Sequence, residues 1–277
     1  MLGIALVALA ECFAEASISI GRYEVKNRKE TLYAMGFLSA VWATVFLLAY
    51  AFIWGEFRFS LESLPTFGLR LVLEVILLFV TLHALIAADR STFAFLRIIS
   101  IPLLLVADIM LGYAVSSMQI MGISLIVIAL GILFLNHGLS RNGKLLTILS
   151  ALLAVGTITL YKYDITHYNS VEAEQALTHL VLLIVLVVVA KLHTGENVAR
   201  HLLRPPFLAQ SLFAGVATVF FSFAFLFAPA SVIMAAKRSF ETLAAIGSGH
   251  RYFREKHVAV KLIAFALVAG GIICIVW

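Results

Sequence analysis

Long apolar stretches run through almost the whole chain, and they restrict its fold more than any other feature of the sequence. Hydrophobic residues make up 62% of the chain and charged residues only 13%, with a mean hydropathy of +1.05. Soluble domains carry about a quarter charged residues, so lipid is the expected solvent. Ten stretches are close to the roughly 20 residues that a helix needs to cross a bilayer. The predicted spans are residues 2–20, 32–54, 67–87, 91–112, 117–136, 144–161, 174–192, 207–227, 229–248 and 258–277.

The spans are predicted to be helices and not barrel strands. Residues 125–135 and 181–190 are continuously apolar, whereas the strands of a membrane barrel alternate. Because the backbone must satisfy its own hydrogen bonds in lipid, helices remain. The two cysteines, Cys12 and Cys274, lie in predicted spans without a disulfide or metal pattern. We therefore expect an all-α integral membrane protein that needs no cofactor and no metal.

The basic residues are concentrated on one side of the predicted topology. The sequence pI is near 9.3, but these residues lie mainly beside helix ends, which indicates membrane orientation and not nucleic acid binding. Only Arg58 and Lys162, with Arg70 just inside helix 3, lie on the other side. The multi-pass chain would lie in a bacterial inner membrane or an organelle membrane, with the basic loops cytoplasmic and both termini outside. These loops hold Arg22, Lys26, Arg28, Lys29, Arg90, Arg141, Lys144, Lys191, Arg200, Arg204, Arg251, Arg254 and Lys256.

The chain repeats itself at a constant offset of about half its length. Residues 22–25 (RYEV) correspond to residues 162–165 (KYDI). Each half, 1–140 and 141–277, contains five predicted spans, and an odd number inverts the second half relative to the first. Inverted five-helix repeats are typical of secondary transporters. Other pairs at this offset are Phe67 with Phe207, Ala84 with Ala224, Ala88 with Ala228, Ser91 with Ser231, Arg97 with Lys237, and Gly131 with Gly271.

Several ionisable residues fall inside the predicted spans. A charge at the centre of a lone helix costs about 3 kcal/mol on insertion scales, so we expect these residues to face a shared cavity. Arg97, Lys237 and Arg238 would form an anionic substrate site, because guanidinium and ammonium groups hold phosphate and carboxylate. The alternative is internal pairing of Lys237 with Glu241, and of Arg97 with Glu74 or Asp108. In the first interpretation, Glu74, Asp108 and Glu241 form a supporting charge network.

Two carboxylates lie one turn apart on helix 1. Glu11 and Glu15 share a helix face, and a low-dielectric cavity would favour their protonated forms. They are candidates for proton coupling or cation binding. The alternative for Glu11 is a static salt bridge to Arg97 or Lys237.

The chain resembles the drug/metabolite transporter superfamily, in its ten-helix EamA-like type. Residues 9–11 (LAE) are similar to small multidrug resistance proteins, whose membrane glutamate binds protons or cationic substrate. Ser91 with Arg97, and Ser231 with Lys237 and Arg238, resemble the triose- and sugar-phosphate translocators, although an arginine replaces their helix-4 lysine. The paired glutamates of helix 1 are not typical of that branch. Ten-helix members usually keep both termini in the cytoplasm, the reverse of the charge-based prediction.

These observations predict a secondary transporter for a small polar metabolite, anionic or phosphorylated, that works by alternating access. Three alternatives remain open: a proton-coupled exporter of cations, a flippase of a lipid-linked phosphate, and a non-transporting membrane scaffold or receptor. A scaffold or receptor would have its buried charges paired off without a cavity. The sequence contains no phosphate-binding loop, nucleophile elbow or metal motif, so an enzyme is not expected. The expected partners are the metabolite, protons and the lipid bilayer, without nucleic acid, and the protein would be a monomer or a homodimer.

Overall fold

The computed structural model describes residues 2–55, 57–112, 116–135, 142–253 and 258–276. All regular elements in these ranges are helical. The predicted boundary between the repeats, at residues 140 and 141, lies outside the described residues, as do Arg141, Arg254 and Lys256. The α-helices are α1 (Leu2–Lys26), α2 (Leu32–Ile53), α3 (Leu64–Ala87), α4 (Arg90–Arg97), α5 (Ser100–Met110), α6 (Ser117–Leu135), α7 (Lys144–His167), α8 (Val171–Thr194), α9 (Pro205–Ala224), α10 (Ala230–Phe253) and α11 (Val258–Val276).

Seven helical segments in the described part of the chain are long and apolar enough to cross a membrane. This confirms the prediction of a multi-pass α-helical membrane protein. Shorter apolar segments, Ile120–Ala129 and Leu262–Cys274, lie within α6 and α11. The seven segments are Leu2–Lys26, Leu32–Ile53, Leu61–Ala87, Thr92–Met110, Lys144–His167, Val171–Thr194 and Pro205–Ala224.

The predicted span 91–112 is broken near its middle. The helix stops after Arg97 and resumes at Ser100, and the Ser100 hydroxyl donates a 2.7 Å hydrogen bond to the Arg97 carbonyl. Pro102 explains the break, since its ring has no N–H and clashes with the carbonyl four residues earlier, that of Ile98. The break leaves Arg97 at the end of α4, near the middle of the span.

Local sequence signals account for the helix ends. The hydroxyls of Thr31 and Ser170 accept hydrogen bonds from the first turns of α2 and α8, as N-cap residues do. At the end of α8, Gly195 has φ +66°, the left-handed conformation that glycine adopts without strain. α9 begins with two prolines. Proline lacks a backbone N–H, but the first N–H groups of a helix have no hydrogen-bond partner within the helix in any case.

The helices pack in pairs around a central space. α1 packs on α9, α2 on α8 and α9, α3 on α7, and α6 on α11, while α10 contacts α1, α4, α5 and α11. Glycine allows the closest approach: a Cβ at Gly215 would lie 2.8 Å from the carbonyl carbon of Trp42. Small residues permit such approaches between membrane helices. The close packing of α2 on α9 forms one wall of the space in which the charged side chains meet.

Candidate functional site

A cavity of about 360 Å³ lies among seven helices: α1, α2, α3, α4, α8, α9 and α10. Pockets that bind small molecules usually measure about 300–1,000 Å³ and are mostly apolar with a few polar groups. This cavity follows that pattern, since aliphatic and aromatic side chains such as Leu78, Leu82 and Phe221 form much of its wall. Its ionisable lining residues are Glu11, Glu74, Arg97, His179 and Lys237.

Lys237 and Glu11 form an ion pair in this cavity. The Lys237 ammonium donates to Glu11 Oε1 and lies 4.4 Å from the centre of the Phe221 ring. Glu11 is thus paired with Lys237, one of the two partners in the salt-bridge alternative. The pair connects α1 to α10. An anionic ligand that binds the Lys237 ammonium would have to displace the Glu11 carboxylate.

Arg97 reaches the same cavity and is held more loosely. Its Nη1 lies 3.8 Å from Glu241 Oε1, its guanidinium carbon lies 4.9 Å from the centre of the Phe93 ring, and its Nε has no hydrogen-bond partner. The alternative pairings predicted from sequence are therefore wrong: Glu241, not Glu74 or Asp108, is next to Arg97, and Lys237 pairs with Glu11, not with Glu241. Lys237 and Glu241 lie one turn apart on α10, but helix packing brings Glu11 to Lys237 and Glu241 to Arg97.

Arg238 lies behind the cavity wall and does not line it. The side chain is completely buried, and its Nη1 donates to Glu241 Oε2. Nε and Nη2 have no hydrogen-bond partners. Glu241 therefore lies between Arg238 and Arg97, as a supporting residue would. Of the three cations predicted to bind substrate, Arg97 and Lys237 line the cavity.

Glu15 is separated from Glu11 by the packing of the helices. It faces a second, small space of about 10 Å³, which Arg22 and Glu241 also line. A space of this size holds about one water molecule. The Ser19 hydroxyl lies 3.4 Å from Glu15 Oε1. The pair of carboxylates predicted on helix 1 is thus divided between two spaces.

Two of the predicted supporting residues contact groups other than the predicted cations. Glu74 lines the cavity, and its Oε1 lies 3.8 Å from Arg70 Nη2. Asp108 accepts a 3.0 Å hydrogen bond from the Ser231 backbone N–H in the first turn of α10. A carboxylate at a helix N-terminus accepts a hydrogen bond from a backbone N–H that has no partner within the helix. It also interacts favourably with the helix dipole. Asp108 therefore fixes the start of the helix that carries Lys237.

Sequence reasoning missed a buried polar cluster at the start of α3. Arg70 Nη1 donates a 2.6 Å hydrogen bond to Glu174 Oε1, and Nη2 donates a 3.1 Å bond to Gln175 Oε1. The guanidinium lies 4.6 Å from the centre of the Tyr161 ring, and Asn169 donates to Glu174. The cluster joins α3 to α7 and α8. Arg70 and Glu174 lie near the ends of predicted spans, where charged side chains are usual, so the sequence pattern does not indicate that they pair.

The described residues contain no group of three or more histidine, cysteine, aspartate or glutamate side chains arranged to hold a metal ion. Cys12 and Cys274 are free thiols. No protein-family model matches the sequence, and no curated protein matches it. The residues of the cavity therefore carry the functional argument.

Proposed function

We propose that the protein is a secondary transporter that moves a small polar metabolite with an anionic group across the membrane by alternating access. The observation that carries this proposal is that Arg97 and Lys237, repeat partners at the 140-residue offset, line the same cavity. A midplane site between two repeats is typical of transporters. We place the chain with the drug/metabolite transporter superfamily, with α4 and α5 as one broken span among ten.

The helix packing supports two inverted repeats. In the two halves α1 corresponds to α7, and α3 corresponds to α9. The contact of α1 with α9 is therefore equivalent to that of α7 with α3, and both contacts are present. The contact of α1 with α10 likewise corresponds to that of α7 with α4 and α5. The contacts of α2 with α8 and of α6 with α11 join equivalent helices. This pattern is what a two-fold exchange of the halves requires.

One pair of equivalent side chains makes equivalent contacts. Arg22 Nη2 donates a 3.0 Å hydrogen bond to the Ala88 carbonyl, just after α3. Its repeat partner Lys162 donates a 2.7 Å bond to the Phe225 carbonyl, just after α9. In each half, a basic residue near the end of the first span satisfies a carbonyl at the end of the third. This supports the sequence match between residues 22–25 and 162–165.

The Glu11–Lys237 pair gives the proposed transporter a means of coupling to protons. With Glu11 ionised, its carboxylate neutralises Lys237. Protonation of Glu11 would free the ammonium, which would then bind the substrate anion together with Arg97. A proton and an anion would therefore bind together, because an unpaired charge in a low-dielectric site is costly. Among the described residues, Glu241, Arg238 and Arg97 are charged groups close to this pair.

A second candidate function is the export of cations coupled to protons. Glu11 and Glu74 both line the cavity, and carboxylates in an apolar cavity attract organic cations. In that case Lys237 would be a structural counter-ion that the substrate displaces from Glu11.

A ligand screen on the purified protein tests the proposal. In detergent, we expect inorganic phosphate, glycerol 3-phosphate or lactate to raise the unfolding temperature, since saturation to about 100 times Kd stabilises a protein by about 2.7 kcal/mol. Arg97→Gln with Lys237→Gln should abolish the shift. The control, Arg58→Gln, changes an exposed arginine and should keep it. A shift produced by tetraphenylphosphonium alone would instead favour the cation exporter.

A further inference from the structure

Two loops from opposite halves of the chain meet on the face that is predicted to be cytoplasmic. The Thr31 hydroxyl, just before α2, donates to Glu196 Oε2, just after α8. His201 Nε2 lies 2.8 Å, and Arg200 Nη2 3.5 Å, from Glu196 Oε1. The Thr31–Glu196 contact joins the α1–α2 loop to the α8–α9 loop, and the other two contacts hold Glu196 within its own loop.

Glu30 lies buried beside this junction, and no described residue neutralises it. Its side chain is 5% exposed, and neither carboxylate oxygen has a hydrogen bond of normal geometry. Gln210 of α9 is completely buried, and both polar atoms of its side chain also lack partners. The nearby cation Lys29 lies 3.3 Å from Glu24, while Arg200 and His201 pair with Glu196.

A proton is the simplest neutralising ligand for this carboxyl group. Burial raises the pKa of Glu30 to about 8, the negative charges of Glu24 and Glu196 add to the rise, and the Gln210 side chain opposes it. An ordinary glutamate has a pKa near 4.5. Because the pKa is raised in the folded protein, the bound proton stabilises the closed junction fully below about pH 4.5. That contribution is lost as the pH rises through about 8.

We propose that Glu30 is a proton-binding site that holds the α1–α2 loop against the α8–α9 loop. With the proton bound, the carboxyl group is neutral, so its burial at the junction no longer requires a counter-ion. Once the proton leaves, the carboxylate is more stable in water than in the buried site, and Glu24 and Glu196 repel it. The junction therefore opens. The site lies apart from the residues that line the cavity, and it exists whether or not the cavity binds an anion.

Thiol labelling measures the opening of the junction directly. Met35 is 2% exposed and lines the cavity, and both its Cγ and Gln210 Nε2 lie beside Gly21. With Cys12 and Cys274 replaced by serine, Met35→Cys would report access from this face. We expect the labelling rate, divided by that of the unfolded protein, to rise about 30-fold between pH 6.5 and 9, because the ionised fraction of Glu30 rises by that factor. Adding Glu30→Gln should keep the rate low throughout.

Two further variants complete the experiment. Glu62→Gln makes the same substitution at an exposed site in the short 3-10 helix before α3 and should leave the profile unchanged. Gln210→Met removes the group that opposes the raised pKa, so its labelling midpoint should move to higher pH. A Glu30→Gln protein with the original pH profile would overturn the proposal. If Glu30→Gln does not fold, an unchanged midpoint in Gln210→Met would overturn it instead.

Discussion

Arg70→Met should destabilise the protein by about 3–5 kcal/mol, the usual cost of removing one partner from a buried ion pair. Arg70 and Glu174 are both almost inaccessible, with side chains 2% and 0% exposed. Methionine replaces the aliphatic part of arginine but leaves Glu174 charged, and it removes a cation from beside Glu74. The apparent free energy of unfolding in mixed micelles titrated with dodecyl sulfate measures the loss.

A second-site change separates the lost ion pair from lost packing. Adding Glu174→Gln removes the uncompensated charge, and its amide oxygen can still accept from Asn169. We expect the double variant to recover most of the lost stability. Arg58→Met, at an exposed position, should change stability little. If the double variant is no more stable than Arg70→Met, packing and not charge holds α3 to α8.

Lys237→Gln should weaken the binding of the anion that gives the largest shift in the ligand screen. A hydrogen bond to a charged group contributes about 1.5–3 kcal/mol, so the expected loss is about 10- to 150-fold in Kd. Glu11→Gln should act in the opposite direction, since the amide no longer neutralises Lys237. Binding by Glu11→Gln should be tighter at neutral pH and nearly independent of pH. Calorimetric titration between pH 5.5 and 8.5 measures both changes.

The matched control for this experiment is Lys191→Gln, which changes an exposed lysine in the last turn of α8. It should bind the anion as the wild type does. Wild-type affinity in Lys237→Gln would show that the lysine is only a counter-ion for Glu11. Tighter cation binding by the same variant would favour the exporter of cations.

Hydropathy predicted where the helices lie because it reports the solvent around each segment. It averages over a span, so it did not detect the break that Pro102 causes between α4 and α5. Arg97 and Lys237 could be predicted to face a shared cavity because lipid excludes isolated charges. Their partners could not be predicted. Lys237 and Glu11 are 226 residues apart, and the pairing depends on how each helix rotates about its axis.

Two other features depend on burial that the sequence does not reveal. Glu174 begins a predicted span, and Glu30 lies in a loop with four basic residues nearby, positions at which charged side chains are usually solvated. Packing of α3 against α7 and α8 buries the first, and the junction between two loops buries the second. Sequence separation, 104 residues between Arg70 and Glu174, hides such contacts from any local pattern.

The proposed function requires that the cavity carry an anionic metabolite across the membrane. The most direct test is uptake of labelled phosphate, glycerol 3-phosphate and lactate into liposomes that contain the purified protein, with an inward proton gradient. We predict that at least one anion accumulates in wild-type and Lys191→Gln vesicles, and that Arg97→Gln with Lys237→Gln reduces this uptake to that of empty liposomes. Equal uptake by the double variant and the wild type, or no anion uptake above empty liposomes by the folded wild-type protein, would contradict the account.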